Sequence, residues 1–184
     1  MTVLTQERIA YLEEMAKNLR ANSLQLINRR GAGHPGGALS AAEILSVLYF
    51  QVMKIDPGDP QMPERDRFIL SKGHASAVLY AALTRRGFFN IKELDNWGEV
   101  DCPHQGHPDR IKTPGVEMTS GILGHGVAIG VGLALAARLR KSDSRTYVLI
   151  GDGESQEGSI WEAIMFAGHH ELNKLVVFLD RNRL

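Results

Sequence analysis

Two oxygen-bearing side chains thirty residues apart are the features of this sequence best suited to chemistry. Asp152 stands in a Gly-Asp-Gly triplet after a short apolar run, and Asn182 follows a second apolar run. A strand, a crossover helix and a second parallel strand need about 30 residues, so the spacing predicts two neighbouring strand ends. Carboxylate and amide oxygens suit Mg²⁺, and the flanking glycines leave room for a phosphate. The pattern therefore predicts a magnesium site that holds a diphosphate.

Histidines in glycine-rich segments form a second group of candidate residues. Four of the seven histidines lie in or beside such segments: His34, His74, His107 and His125. Histidine binds polar groups and transfers protons near neutral pH, so this set suits a site for a polar substrate. His74 follows a third predicted strand, which would bring it to the same sheet edge as the two oxygen-bearing side chains.

The segment around Cys102 offers a competing metal site. Cys102, His104 and His107 are residue types that bind zinc. Their spacing fits no standard zinc motif, however, and the sequence has no second ligand-bearing segment that would complete a tetrahedral site. We therefore favour magnesium over zinc.

Composition narrows the class of protein. The chain has 184 residues, 43% of them hydrophobic, with a net charge of zero and one cysteine. The scattered, balanced charge gives no footprint for nucleic acid or an acidic membrane surface. A single cysteine excludes an internal disulfide. The N-terminus lacks the features of a secretory signal. The longest apolar stretch is too short to span a bilayer. These features favour a cytoplasmic protein.

Strands that alternate with helices predict the fold. Apolar runs at 67–70, 147–150 and 175–179 are the predicted strands. Strands that are apolar throughout are typical of a parallel α/β sheet with helices on both faces. Ligands of such sheets bind beyond the carboxyl ends of the strands. We expect a single domain over residues 1–184.

The first helices are predicted from periodicity and end signals. Thr5 is expected to cap a helix that runs to about Arg29, where glycines end it. Ser40 is expected to cap a second helix. A third helix is expected from Ala75 to about Arg86.

The second half of the chain predicts two more helices and one long loop. Residues 124–140 are expected to form a buried helix whose small residues allow close packing. Another helix is expected to begin near Glu154, so that Glu154 and Glu157 suit its dipole and its positive end faces an anion. Residues 96–121 contain several prolines and are predicted to be a loop that is either functional or disordered.

The ordered set of short motifs resembles one known family. The landmarks, in chain order, are Gly33-His34-Pro35-Gly36, Leu70-Ser71-Lys72-Gly73-His74-Ala75, Gly106-His107-Pro108, Thr113-Pro114-Gly115-Val116-Glu117, Gly121-Ile122-Leu123-Gly124, and Gly151-Asp152-Gly153 with Glu157-Gly158. Each motif alone is weak, but their order and spacing are specific. From about residue 7 onward the chain resembles the N-terminal, diphosphate-binding half of transketolase, and most closely the split type, whose halves are separate polypeptides.

The resemblance implies a particular cofactor site. Asp152 and Asn182 would bind Mg²⁺ through side-chain oxygens, and Leu184 through its backbone carbonyl. The backbone of Gly153 and the ring of His74 would contact the diphosphate of thiamine diphosphate. The diphosphate and a water molecule would complete the octahedral coordination of the metal.

The resemblance also implies residues at the reacting end of the cofactor. Gly121 and Leu123 would approach its aminopyrimidine and ring system. Glu157 is similar to the family's carboxylate at the dimer contact, which is linked through hydrogen bonds to the partner active site, and so counts as both a cofactor-binding and a catalytic candidate. Three histidines would bind substrate hydroxyls and assist proton transfer: His34, His74 and His107.

The implied reaction is transfer of a two-carbon ketol unit from a ketose or its phosphate to an aldose or its phosphate. The family needs a pyrimidine-binding chain, so we expect an assembly with such a partner, in the form of a homodimer or a heterotetramer. Split family members continue for several dozen residues past the position of Leu184, which implies that the domain is incomplete at its C-terminus. Ile122 and His125 also depart from the Pro and Gln that the family often has.

Two other functions stay open at this point. One is a different thiamine-diphosphate enzyme, such as a deoxyxylulose-phosphate synthase or a biosynthetic ketol transferase. The other is a non-catalytic paralogue that acts as a binding partner, which the short chain favours and the intact histidine set opposes.

Overall fold

A parallel sheet of three strands lies at the centre of the computed structural model, which describes residues 4–182. The strands are β1 (Arg67–Leu70), β2 (Thr146–Gly151) and β3 (Leu175–Asp180), with β2 in the middle. Both neighbouring pairs are parallel. All three carboxyl ends therefore lie at one edge of the sheet, called here the carboxyl edge, and the predicted strand positions and parallel pairing are confirmed.

Helices cover both faces of this sheet, as the sequence predicts. The helices are α1 (Gln6–Arg30), α2 (Pro35–Ser40), α3 (Ala42–Val47), α4 (Ser76–Arg86), α5 (Gly126–Leu139) and α6 (Gly158–His169). Alternate strand residues point to opposite faces of a sheet. Phe68 and Leu149 pack into the core that includes α1 to α4, and Ile69 and Val148 pack into the core that includes α5 and α6. The predicted α/β fold class is therefore confirmed.

The first helix begins and ends where its signals predict. The Thr5 hydroxyl accepts a hydrogen bond from the Arg8 N–H at 3.2 Å, which satisfies a backbone donor of the first turn. Gly31 ends the helix with φ of 69°, a left-handed conformation that glycine adopts without strain. The prediction for α1 is confirmed to within one residue at either end.

Close packing of α5 depends on two glycines that face the sheet. A Cβ atom at Gly126 would overlap the Ser71 side chain, and one at Gly130 would lie 2.6 Å from Val148 Cγ2. The helix therefore lies nearer to β1 and β2 than any larger residue would allow. The expectation that its small residues mark close packing is confirmed.

The helix expected to follow Ser40 is α3, but its N-cap is Ala41, so the prediction that Ser40 caps it is wrong. Helix α2 begins at Pro35, because proline at the first position fixes φ and needs no hydrogen-bond partner for its nitrogen. Ser40 is the last residue of α2. Helix α3 then runs into a π-helical turn at Leu48–Val52.

The helix expected near Glu154 also begins elsewhere. Glu154–Gln156 form a single 3₁₀ turn, and α6 begins only at Gly158. Glu154 is buried and accepts hydrogen bonds from other segments, so it does not serve the helix dipole. Glu157 is the residue before α6 and makes no side-chain capping bond.

The long segment 96–121 is irregular, as predicted, and it packs against α4 through specific bonds. Ser76 donates to the Gly106 carbonyl at 2.7 Å, and Tyr80 donates to the Gln105 carbonyl at 2.8 Å. Trp97 also donates to the Gln105 carbonyl, at 3.2 Å. Within residues 4–182, no helix has the length and apolar character needed to cross a membrane.

Candidate functional site

The two residues expected to bind magnesium follow neighbouring strands at the carboxyl edge. Gly151 of β2 pairs with Asp180 of β3, and the Asp152 N–H donates to the Asp180 carbonyl at 3.2 Å. Asn182 lies two residues beyond the end of β3. The third expected ligand, Leu184, lies outside the described residues. The backbone therefore places Asp152 and Asn182 on adjacent strand ends, as the spacing predicts.

A buried ion pair joins this edge to α2, the helix that follows His34. Lys72, which follows β1, donates to Asp180 Oδ2 and also to the Gly37 carbonyl at 2.8 Å. Ser40 donates to the same carboxylate oxygen at 2.6 Å. A buried charge is stable only when it is paired and hydrogen-bonded. This network therefore fixes α2 to the ends of β1 and β3.

A second buried carboxylate at this edge belongs to Glu154, which follows β2. It accepts hydrogen bonds from the Ser71 hydroxyl, from Gly124 N–H at 2.9 Å and from Gly151 N–H at 3.0 Å. The bonds connect the end of β1, the segment before α5 and the end of β2.

His34 and His74 lie together at this edge. Their ring centroids are 5.1 Å apart in an edge-to-face arrangement. Burial lowers the pKa of His74, and the nearby His34 and Lys72 lower it further, while Glu154 opposes the shift. The lowered pKa favours the neutral imidazole, which can accept or donate a proton. A Cβ atom at Gly37 would lie only 3.4 Å from His74 Nε2, so glycine leaves room for the ring.

His107 packs against Gly121 and lies near enough to His74 to affect its pKa. A Cβ atom at Gly121 would lie 3.4 Å from His107 Cγ, and the φ of Gly121 is 151°. Gly73 brings this segment close to β1, because a Cβ atom there would lie 2.5 Å from Ser120 Oγ. Glycines thus let the segment of Ser120 and Gly121 approach both the end of β1 and the His107 ring.

Glu157 lies on the outer side of the same segment. A Cβ atom at Gly124 would be 2.8 Å from the Glu157 Cβ, and the φ of Gly124 is 86°, so the close approach requires glycine. Glu157 and Leu123 are both exposed. His125 is exposed too, and its Nδ1 lies 3.2 Å from the Leu123 carbonyl.

The zinc alternative finds no support in the described part of the chain. Within residues 4–182, no group of three His, Cys, Asp or Glu side chains comes together as a metal site. His104 is buried between aromatic rings, stacked on Phe89 at 4.2 Å, while His107 packs over Gly121. The expected magnesium set contains only one such side chain, Asp152, so this finding does not bear on it.

The chemistry of the carboxyl edge fits a metal-bound diphosphate. Asp152 and Asn182 supply the hard oxygen atoms that Mg²⁺ prefers. Gly153 is exposed, and no atom lies within 4 Å of the position that its Cβ would take, so its backbone is open to a ligand. His74, which is in contact with His34, supplies a ring nitrogen at the same edge.

Two charged residues at this site, Lys72 and Asp180, carry no predicted role, and Glu154 has a different role from the one predicted. Lys72, Asp180 and Glu154 are charged yet buried. A usable signal is their position: Lys72 and Asp180 stand at the ends of apolar strands, where a charge must find a partner. No sequence signal identifies Ser40 as the partner of Asp180, since the two are 140 residues apart.

The parallel sheet and its glycine-bounded carboxyl edge are typical of the α/β domains that bind ligands beyond the ends of their strands. The sequence model of the family described as "Transketolase, thiamine diphosphate binding domain" matches residues 12–184. The chain belongs to this family, and the resemblance found in the motifs is confirmed.

Two bacterial transketolase subunits are similar to the chain over nearly its whole length. It is 46% identical over 173 residues to the 6-deoxy-6-sulfo-D-fructose transketolase subunit SqwG of Clostridium sp. (strain MSTE9), covering 94% of this chain and 63% of that protein. It is 43% identical over 177 residues to an apulose-4-phosphate transketolase subunit of Phocaeicola vulgatus, covering 96% of this chain and 63% of that protein. The chain thus spans less than two thirds of the length of these relatives.

Solved transketolases share the fold. The structure from Campylobacter jejuni superposes with a TM-score of 0.87 at 37% identity, covering 97% of this chain and 28% of that one. The structure from Leishmania mexicana gives a TM-score of 0.86 at 38% identity, covering 92% of this chain and 27% of that one. The thiamine-diphosphate-binding fold expected from the sequence is therefore confirmed.

Proposed function

We propose that the chain is the diphosphate-binding part of a thiamine-diphosphate- and magnesium-dependent transketolase. It would transfer a two-carbon ketol unit from a ketose to an aldose, together with a pyrimidine-binding partner chain. The observation that carries the proposal is the meeting of three motif segments, those of His74, Gly121 and Asp152, at one carboxyl edge in a chain of this family.

The cofactor would be held from three sides. Asp152 and Asn182 would bind Mg²⁺ through side-chain oxygens, with the Leu184 carbonyl as a third protein ligand. Gly153 and His74 would contact the diphosphate. Bound thiamine diphosphate supplies a nucleophilic carbon and a place to store the electrons of the two-carbon unit.

The chain's own contribution would be to position the substrate and to move protons. Gly121 and Leu123 would support the ring system of the cofactor. Three histidines would bind hydroxyl groups of the sugar: His34 and His74, whose rings are in contact, and His107, which packs against Gly121. The lowered pKa of His74 supports a neutral ring that can exchange a proton with such a hydroxyl.

The names of the two bacterial relatives refer to a sulfonated and a phosphorylated ketose. We infer that the donor here is also a ketose with an anionic group.

An exposed apolar surface on α5, on α6 and on the segment before α5 supports the need for a partner chain. This surface consists of Ile122, Leu123, Ile129, Trp161, Met165 and Phe166. Trp161 is 54% exposed and Met165 72% exposed, which is unusual for such large side chains in adjacent positions on one helix. We propose that this surface is covered in a homodimer or heterotetramer, with Glu157 at its border.

An activity assay of the assembled complex tests the proposal. The chain and a pyrimidine-binding partner are mixed with thiamine diphosphate, Mg²⁺, a ketose phosphate donor and an aldose phosphate acceptor. We expect a product aldose shortened by two carbons and a ketose lengthened by two. No turnover together with no cofactor binding would reject the proposal. Product from pyruvate in place of the ketose would point instead to a deoxyxylulose-phosphate synthase.

A further inference from the structure

Glu154 makes more bonds to the carboxyl edge than its place in a short turn suggests. Its side chain is buried, with the residue only 3% exposed. Oε1 accepts from the Ser71 hydroxyl and from Gly124 N–H at 2.9 Å, and Oε2 accepts from Gly151 N–H at 3.0 Å. The carboxylate thus satisfies donors from three segments that are far apart in sequence.

Ser71 connects the Glu154 carboxylate to the first turn of α5. Its hydroxyl donates to Glu154 and accepts from Gly126 N–H at 3.1 Å. Gly124 and Gly126 are both buried, so their N–H groups have no access to water as an alternative partner. An unsatisfied buried donor is costly, so these bonds fix the positions of the segments.

Each of the three segments carries a residue that the proposed function places against the cofactor. His74 follows Ser71, Leu123 precedes Gly124, and Asp152 follows Gly151. We propose that Glu154 is a positioning residue for the cofactor site. Its side chain holds the segment of Leu123, proposed to contact the cofactor rings, at a fixed distance from the segment of Asp152, proposed to bind the metal. This inference rests on the proposed function for the identity of the ligand.

The chemistry of the side chain explains why a carboxylate is needed. A carboxylate has two oxygens that only accept hydrogen bonds, and it faces three donors here. In Glu154→Gln one of those oxygens becomes an NH₂ group, which would face an N–H or O–H donor at similar size. Either the Gly151 N–H or the Gly124 N–H would then lose its acceptor, because a backbone N–H cannot accept from the new NH₂ group as the Ser71 hydroxyl can.

Asp66 offers a matched control at the other edge of the sheet. Its buried carboxylate also accepts two backbone bonds, from Lys54 N–H at 2.8 Å and Arg145 N–H at 2.7 Å. It precedes β1, so it lies at the amino ends of the strands. Asp66→Asn therefore tests a buried carboxylate that holds the fold without touching the proposed site.

Calorimetric titration of the complex with thiamine diphosphate and Mg²⁺ provides the first test. We expect Glu154→Gln to weaken cofactor binding by about 10- to 100-fold, which is typical when a group that orients a ligand-binding residue is removed. Asp66→Asn should bind the cofactor like the wild type, although its melting temperature should fall to an extent comparable with that of Glu154→Gln. Equal cofactor affinity in Glu154→Gln and the wild type would overturn the inference.

Amide hydrogen exchange without cofactor separates this inference from the proposed function. In Glu154→Gln, peptides that cover 121–127 and 149–153 should exchange faster than in the wild type, whereas in Asp66→Asn they should not. Should Glu154→Gln fail to fold, Ser71→Ala should still speed exchange in 121–127, because Gly126 N–H loses its acceptor. Unchanged exchange in the folded variants overturns the positioning role, whereas a wild-type complex that binds no cofactor overturns the proposed function alone.

Discussion

The two edges of the sheet contain buried carboxylates that make similar bonds in different surroundings. At the amino edge, Asp66 accepts from two backbone N–H groups, and Glu117 pairs with Arg65 and with Arg67. At the carboxyl edge, Asp180 pairs with Lys72, and Glu154 accepts from glycine N–H groups. Asp66, Asp180 and Glu154 have comparable burial.

The difference lies in what each edge leaves accessible. The carboxyl-edge bonds hold glycine-rich segments beside partly or fully exposed polar groups: His34, His74, His107, Asp152 and Asn182. The amino-edge bonds join β1 and β2 to ordinary loop residues such as Lys54 and Arg145. Buried charge alone is therefore not a mark of function in this domain. A buried charge that supports open backbone and titratable side chains is the informative feature.

The largest effect on stability is expected at the Lys72 ion pair. Lys72→Met leaves the Asp180 carboxylate buried without its cation, which costs about 3–5 kcal/mol of unfolding free energy. Urea denaturation measures this change. The double variant Lys72→Met, Asp180→Leu should recover much of the loss, because no uncompensated charge remains. A single variant as stable as the wild type would show that the pair does not hold this edge.

At the same edge, Asp152→Ala should lower the affinity for the cofactor while leaving the unfolding free energy nearly unchanged. Its side chain is partly exposed, so its removal should change the unfolding free energy little. Loss of the proposed metal ligand should weaken thiamine diphosphate binding by about 100-fold or more, equivalent to about 2.7 kcal/mol. Calorimetry with Mg²⁺ in the assembled complex measures the affinity. Unchanged affinity would favour a non-catalytic binding partner over an enzyme.

Asp66→Asn should show the opposite pattern at the amino edge. One of two backbone N–H groups loses its acceptor, which costs about 1–3 kcal/mol of unfolding free energy. Cofactor affinity should not change, because the residue lies at the far ends of the strands. A large loss of affinity in this variant would mean that the two edges do not act separately.

The smallest expected effect is a pH dependence of the unfolding free energy. It comes from His104 in the irregular segment 96–121 rather than from either edge of the sheet. Burial lowers the pKa of His104, and the nearby Glu93 opposes this shift only in part. The unfolded chain therefore takes up the proton first, at a pKa near 6.5, and stability falls as pH decreases from 7 towards 5. The slope is at most about 1.4 kcal/mol per pH unit.

His104→Phe provides the comparison for this slope. Phenylalanine keeps an aromatic ring against Phe89 but cannot titrate. The variant's unfolding free energy, measured by urea denaturation at pH 7, 6 and 5, should fall less steeply than that of the wild type. Parallel slopes in the two proteins would contradict the prediction.

The sequence predicts the strands and the first helix well because their signals are local. The apolar runs of β1 to β3 and the Thr5 cap need no distant partner to be recognised. The same holds for the order of Asp152 and Asn182 along the sheet edge, since a crossover connection brings consecutive parallel strand ends together. The roles of these residues as metal ligands stay predictions.

The sequence fails where a side chain bonds to a segment far away along the chain. Ser40 has the residue type of a helix cap, but it donates to Asp180 instead. Glu154 has the position of a first-turn acidic residue, but its acceptors are used by Ser71, Gly124 and Gly151. Both choices depend on tertiary contacts that no local pattern contains. The expected cytoplasmic location and the single-domain organisation also stay predictions.

Because Gly126 and Gly130 contact the sheet, substitutions in α5 should change the affinity of this domain for its cofactor without touching the site. A methyl group at Gly130 would collide with Val148 and push the whole of α5 outward, together with the Leu123 segment that leads into it. Gly132, on the outer side of the same helix, has open space and would accept alanine freely. A mutational scan of α5 should therefore show sensitivity every few residues, in step with the helix turn, at sites that never meet a ligand.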